Sequence, residues 1–184
     1  AHALGFIFYA KSPRHVTPRR AAEIIRDLPP FVTAVGLFVN AGARDVERVL
    51  EQVALNLLQF HGEETPAFCA QFRLPYIKAV RVRAGLDLLQ YAQLYSAARG
   101  LLPDAFVAGA HGGTGTAFDW SLIPRKLPLP VILSGGLNCE NVANAIRRVG
   151  PWAVDVSSGV EASPGIKDPR KIAAFMKEVR SADG

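Results

Sequence analysis

The strongest constraint on this chain is a recurring pair of segments. A short apolar run with no polar alternation is followed by a polar turn and then a longer amphipathic stretch. The apolar runs occupy residues 3–9, 31–39, 55–60, 76–82, 100–104, 130–134 and 153–156. A strand with one wet face alternates apolar and polar residues. These runs do not, so both of their faces must be covered, as in a parallel sheet packed under helices. Residues 19–28, 45–53, 65–72, 86–95, 138–149 and 169–179 read as helices, and 119–123 as one helical turn. In the first, Ala21, Ala22, Ile24, Ile25 and Leu28 recur at helical spacing until Pro29 and Pro30 stop it. In the second, Val46, Val49, Leu50 and Val53 share one stripe. Thr17 before Pro18, Asn138 and Asp168 read as N-caps, and Pro66 opens the third helix.

Seven strand-then-helix units of roughly 25 residues, with no linker between them, make one α/β domain over residues 1–184. Two architectures fit: an open doubly wound sheet, or a (βα)8 barrel short of one unit. No glycine-rich dinucleotide fingerprint follows the first strand, which weakens the first option. Polar and glycine residues follow the strands, at Arg14, Asn40, His61, Asp104, Gly135 and Ser157. In a barrel all of those ends share one rim, where barrel chemistry takes place.

Of the 184 residues, 49% are hydrophobic and 20% charged, a globular composition. The net charge of +5 suits an anionic ligand, but no Lys/Arg block or basic–aromatic interleaving supports a nucleic-acid surface. No apolar stretch is long enough to span a membrane, and the first residues lack the features of a signal peptide. The two cysteines, Cys69 and Cys139, make no disulfide framework and suit a reducing, cytoplasmic location. His and Cys are too scattered for a metal site. The chain opens without Met, directly in an apolar run, as though its beginning were missing.

The last two strand ends, Ser134-Gly135-Gly136 and Ser157-Ser158-Gly159, put small residues where a strand hands over to a helix. Glycine lets an anion approach bare backbone N–H groups, so these loops are either a phosphate site or merely two tight turns. Asp104, ending an apolar strand, is either a general acid with a raised pKa or a cap for the next loop. His61 reads as a site residue or a satisfied structural histidine. Arg14 reads as a fork for a substrate carboxylate or as a surface arginine. Asp155 reads as structural, Asp119 and Trp120 as anchors of the loop before them, and Cys69 as core. Cys139, near a helix start, is a weak candidate for a nucleophile.

Six ordered motifs go further. They are Leu4-Gly5-Phe6-Ile7-Phe8 with Ser12-Pro13-Arg14; Val35-Gly36-Leu37-Phe38-Val39-Asn40; Leu58-Gln59-Phe60-His61-Gly62-Glu63-Glu64; Gly112-Gly113-Thr114-Gly115 with Phe118-Asp119-Trp120; Ser134-Gly135-Gly136-Leu137-Asn138 with Glu140-Asn141-Val142; and Val154-Asp155-Val156-Ser157-Ser158-Gly159-Val160-Glu161 with Gly165, Lys167 and Asp168. In these the chain resembles the phosphoribosylanthranilate isomerases, barrel enzymes of tryptophan biosynthesis, over almost its full length. The resemblance implies a (βα)8 barrel and an Amadori rearrangement of N-(5′-phosphoribosyl)anthranilate to 1-(2-carboxyphenylamino)-1-deoxyribulose 5-phosphate, an aldose–ketose isomerisation. It implies no cofactor, no metal and a small phosphorylated substrate as partner; with no nucleic-acid or membrane partner expected from the composition, the oligomeric state is left open. By resemblance Asp104 is the general acid on the ribose ring oxygen, Arg14 holds the anthranilate carboxylate and His61 lines the pocket. Gly113, Gly135, Gly136, Ser158 and Gly159 bind the phosphate.

Two departures accompany it. Family members open with a strand reading Lys-Ile-Cys-Gly-Ile-Thr whose Cys is the general base, and neither Cys69 nor Cys139 matches it. The resemblance therefore predicts a barrel with its first βα unit absent and seven units present, inactive as it stands, with open edges at residues 3–9 and 153–156. Phe60 stands where the family usually has Leu, adding bulk near His61. An inactive barrel fragment and another phosphate-binding barrel enzyme of the tryptophan or histidine pathways are the alternatives.

Overall fold

Apolar runs without alternation do become strands. The computed structural model describes residues 1–83, 85–105 and 119–182. In chain order these form β1 (Ala3–Ile7), α1 (Pro18–Arg26), β2 (Thr33–Phe38), α2 (Ala43–Gln52), β3 (Leu57–Phe60), α3 (Pro66–Ala70), β4 (Tyr76–Val82), α4 (Leu88–Leu94) and β5 (Leu101–Ala105). Then come β6 (Ile132–Leu133), α5 (Val142–Val149), β7 (Ala153–Val154), β8 (Glu161–Ser163), β9 (Ile166–Lys167) and α6 (Pro169–Ala182). Strands β1 to β5 lie side by side in chain order. β1 pairs with β2, β2 with β3 and β3 with β4, all parallel. β6 and β7 form a parallel pair, and Leu101 meets Val131 in an isolated parallel bridge.

The chain divides into two compact units, Ala1–Lys78 with Ala97–Arg99, and Ala79–Ser96 with Gly100–Gly184. In the first, the fully buried Phe60 ring is the hub of an aromatic cluster. Its centroid lies 6.3 Å from Phe38, 5.8 Å from Phe68, 5.7 Å from Phe72 and 5.9 Å from Tyr76. The bulk of this Phe is therefore taken up by the core, in edge and offset contacts that aromatic rings favour. In the second unit Leu133, Val142 and Ala145 are fully buried and pack with Val80, Val82, Leu88 and Phe175.

The caps follow local chemistry. Thr17 Oγ1 accepts from Arg20 N at 3.3 Å and Thr65 Oγ1 from Phe68 N at 3.2 Å, each with Pro in the first helical turn. Asp168 Oδ1 accepts from Arg170 N at 2.8 Å and starts α6. Asn138 does not cap α5. Its Oδ1 accepts from Glu140 N at 2.8 Å, while Asn141 Oδ1 accepts from Asn138 N at 2.9 Å. This reciprocal pair closes a turn of its own, and the helix begins after it, at Val142.

Among the described residues the helical element between β5 and β6 is the 3-10 turn Trp120–Leu122, the single turn expected at 119–123. Between β7 and α6 come a second 3-10 turn, Ser158–Val160, and the antiparallel β8–β9 hairpin. Apolar runs mark strands well, but they carry no information about what connects them. The hairpin is short and polar, closed by Gly165 at φ 85°, and gives no run to detect.

Cys69, on α3, is fully buried. Burial pushes its thiol up from an ordinary value of 9.0 to about 12, with Lys78 opposing and Glu64 reinforcing the shift. Its raised folded value means that the stability it contributes is complete below pH 9 and is lost as pH rises toward about 12, where only the unfolded thiol ionises at first. Urea unfolding of wild type and Cys69→Ala across pH 8 to 11 is expected to show the shallower alkaline decline in the variant. Parallel declines would contradict the assignment.

Candidate active site

Strand β1 leads into a turn in which Arg14 N donates to Ser12 Oγ at 3.1 Å and Val16 N returns to Ile7 O at 3.0 Å. The half-buried Arg14 thus follows the carboxyl end of β1. Phe8 N donates to Leu37 O and His61 N to Phe38 O, both at 2.9 Å, so the ladders of β1, β2 and β3 continue past the strands into their loops. His61 follows β3 directly and is 8% exposed. Gln59 Nε2 lies 3.1 Å from its Nδ1.

Two charged residues that the sequence reading did not single out organise this corner. Lys78, on β4 with a side chain 0% exposed, donates to Phe60 O at 3.2 Å, Gly62 O at 2.6 Å and Glu64 Oε2 at 3.2 Å. Glu64 Oε2 also accepts from Gly62 N at 2.9 Å, and its Oε1 from Asn40 N at 2.7 Å. Asn40, at φ 51°, accepts from Glu63 N at 2.7 Å through its Oδ1. A Cβ on Gly62 would collide with the Asn40 side chain, and would come within 2.8 Å of Asn40 N. The available signal was a lysine in the middle of the otherwise apolar run Tyr76-Ile77-Lys78-Ala79-Val80.

In the second unit Asp104, on β5, is 4% exposed. Next to it Pro103 O accepts from Ser134 N at 3.1 Å, and Ser134 Oγ donates to Asp155 Oδ2 at 3.1 Å. Asp155 therefore ties the end of β7 to the end of β6. Gly135 and Gly136 follow at φ 86° and 66°, a backbone that L side chains rarely adopt. Asn141 Nδ2 donates to Gly136 O at 2.9 Å. A Cβ on Gly159 would run into Leu137 O, 2.9 Å from Leu137 C and 3.1 Å from Asn138 Cα. The structure thus brings the 134–138 and 157–159 loops together, backbone against backbone. Lys167 braces the second loop, donating to Ser157 O at 2.9 Å, Ser157 Oγ at 3.3 Å and Glu161 Oε1 at 2.9 Å.

Gly113 lies outside the described residues. The loop that Asp119 and Trp120 were expected to anchor lies outside the described residues; Asp119 Oδ1 caps the 3-10 turn that follows, accepting from Ser121 N at 3.0 Å, a bond that lowers its pKa, with Arg148 3.7 Å away. Cys139 sits in the turn before α5, half-buried. Among the described residues no group of His, Cys, Asp and Glu could hold a metal ion, and no helix is long and apolar enough to cross a membrane.

Parallel strands alternating with helices, with a buried carboxylate and glycine loops at strand ends, are the architecture of α/β barrel enzymes. A family model described as N-(5'-phosphoribosyl)anthranilate (PRA) isomerase matches residues 1–178, and the chain belongs to that family. It is 62% identical over 179 residues to the N-(5'-phosphoribosyl)anthranilate isomerase of Nitrosospira multiformis, covering 97% of this chain and 86% of the relative. A solved phosphoribosyl anthranilate isomerase from Thermotoga maritima superposes with a TM-score of 0.88 at 43% identity, over 98% of this chain and 89% of that one. A phosphoribosyl anthranilate isomerase in complex with reduced 1-(o-carboxyphenylamino)-1-deoxyribulose 5-phosphate gives a TM-score of 0.85 at 42% identity, over 98% and 88%. These superpositions overturn the expectation of a barrel with its first unit absent and seven units left. The chain matches the family's (βα)8-like barrel fold along nearly all of its length. The expectation of an inactive remnant loses its support with it.

Gly159→Ala is expected to cost about 1–3 kcal/mol, because backbone rather than a flexible side chain must give way. Wild-type stability in this variant would contradict the packing described.

Proposed function

We infer that this chain isomerises N-(5′-phosphoribosyl)anthranilate to 1-(2-carboxyphenylamino)-1-deoxyribulose 5-phosphate, an aldose–ketose conversion. What supports it most is Asp104, a carboxylate 4% exposed on β5, beside the β6 end from which the glycine loop departs. Asp104 delivers a proton to the ribose ring oxygen. The anilino nitrogen lone pair expels that oxygen, and an open-chain iminium forms. Loss of the C2′ proton to a base gives an enolamine, which tautomerises to the ketose. One proton enters and one leaves, so the conversion is redox-neutral. Cys69 does not serve as that base, since it is fully buried with its thiol held near 12. Cys139, in the turn before α5, does not match the family's basic cysteine either.

Arg14 receives the anthranilate carboxylate through a two-donor fork, and His61 lines the substrate pocket. The loops holding Gly135, Gly136, Ser158 and Gly159, with Gly113, receive the phosphate. The close approach of the 134–138 and 157–159 backbones supports this, since it leaves glycine and serine rather than bulky side chains around the anion.

Asp104→Asn is expected to lower kcat by about 10²–10⁴-fold with little change in KM, because a general acid contributes that much to the step it serves. Retention of more than half of wild-type kcat, with chemistry limiting turnover, would remove Asp104 from this role. Arg14→Ala should raise KM for the phosphoribosylanthranilate by roughly 30-fold or more, the value of a charge-assisted fork of about 2 kcal/mol, and leave inorganic phosphate binding within about twofold. Equal losses for both ligands would point to a defect in folding instead.

A further inference from the structure

We propose that Lys78 and Glu64 are positioning residues for the isomerisation, acting through His61. The proposal rests on the assignment of His61 to the substrate pocket. The two carbonyls that Lys78 Nζ holds, Phe60 O at 3.2 Å and Gly62 O at 2.6 Å, belong to the residues on either side of His61. One ammonium therefore clamps both neighbours of the histidine. Glu64 completes the clamp. Its Oε2 accepts from Lys78 Nζ and from Gly62 N, and its Oε1 reaches across to Asn40 N, at the end of β2. Asn40 answers through Oδ1 to Glu63 N. The loops after β2 and β3 are thus fixed to each other and to β4.

A purely stabilising role would not call for these residue types. Burying a lysine at 0% and a glutamate at 3% side-chain exposure carries a large desolvation cost, which their mutual attraction alone does not readily offset. What apolar side chains cannot do is hold two main-chain carbonyls, of Phe60 and Gly62, and two amide donors, of Gly62 and Asn40, in fixed positions. The pair spends its hydrogen bonds on main chain within one residue of His61 and on Asn40, at the carboxyl ends of β3 and β2, where the substrate-binding groups lie. Gln59 Nε2 at Nδ1 then sets the ring itself.

The test is a double-mutant cycle in the intact protein between His61→Ala and the charge-free pair Lys78→Met with Glu64→Leu, which leaves no unpaired buried charge. Thermal unfolding, kcat and KM for N-(5′-phosphoribosyl)anthranilate, and inorganic phosphate affinity are measured on each variant. The charge-free pair is expected to fold with a lowered Tm, because Phe60 O, Gly62 O, Gly62 N and Asn40 N lose these bonds, to lose at least roughly tenfold in kcat/KM, and to bind inorganic phosphate as wild type does. In the His61→Ala background the same pair should change kcat/KM less than about threefold, since the group it positions is gone. Should the pair not fold, Glu64→Gln takes its place, keeping the shape but surrendering one of the accepting oxygens, with the same coupling expected. Full activity in a folded charge-free pair, or a loss that simply multiplies with that of His61→Ala, would overturn the positioning role while leaving His61 in the pocket. An active His61→Ala enzyme with wild-type kcat/KM would instead overturn the His61 assignment, and the proposal with it.

Discussion

A parallel sheet delivers its strands to their loops with the backbone still owing hydrogen bonds, and in the first unit a single ammonium settles much of that debt. Lys78 Nζ holds the carbonyls of Phe60 and Gly62 and the Glu64 carboxylate, in a place where no water competes. Remove the charge and Glu64 is left as an unpaired buried carboxylate, with the two carbonyls lacking this donor; losses of that kind are large. Gly62 and Asn40 are shaped to the same network. The glycine has no room for a Cβ beside the Asn40 side chain, and Asn40 sits at φ 51°, where its short amide can bond locally.

The second unit solves the corresponding problem with backbone in place of charge. Gly135 and Gly136 take a left-handed turn after β6, and Gly159 lets the loop after β7 lie directly on Leu137 and Asn138. Ser134 Oγ on Asp155 and Lys167 on Ser157 hold the two loops from either side. A pair of loops packed this closely exposes main chain rather than side chains. That is the surface a phosphate requires, because N–H groups fixed in advance need no reorganisation when the anion arrives. The buried Asp104 carboxylate, one residue beyond the carbonyl that Ser134 N meets, is placed by the same interstrand contacts.

Much of this was legible in the residues. Apolar runs without alternation located strands β1 to β7 of the described residues, since burial on both faces leaves a plain compositional mark. Thr17 and Asp168 were legible as caps because capping is local. Asn138 was not, because Asn141 three residues later competes for the same turn, and composition does not rank two asparagines. The β8–β9 hairpin left no apolar run to find, so run counting missed this element between β7 and α6. At the site, Asp104, His61 and the glycine loops stood out as polar or small residues ending apolar runs. Lys78 did not, because it lies within a run, and its partner Glu64 is distant in sequence. Only the fold reveals that the two share one buried network.

The most direct test is a crystal structure of this protein with reduced 1-(o-carboxyphenylamino)-1-deoxyribulose 5-phosphate. The phosphate should accept hydrogen bonds from backbone nitrogens of the loops that carry Gly135, Gly136, Ser158 and Gly159. Lys78 Nζ should remain on Phe60 O and Gly62 O. A phosphate gripped by lysine or arginine side chains away from those loops would contradict the account.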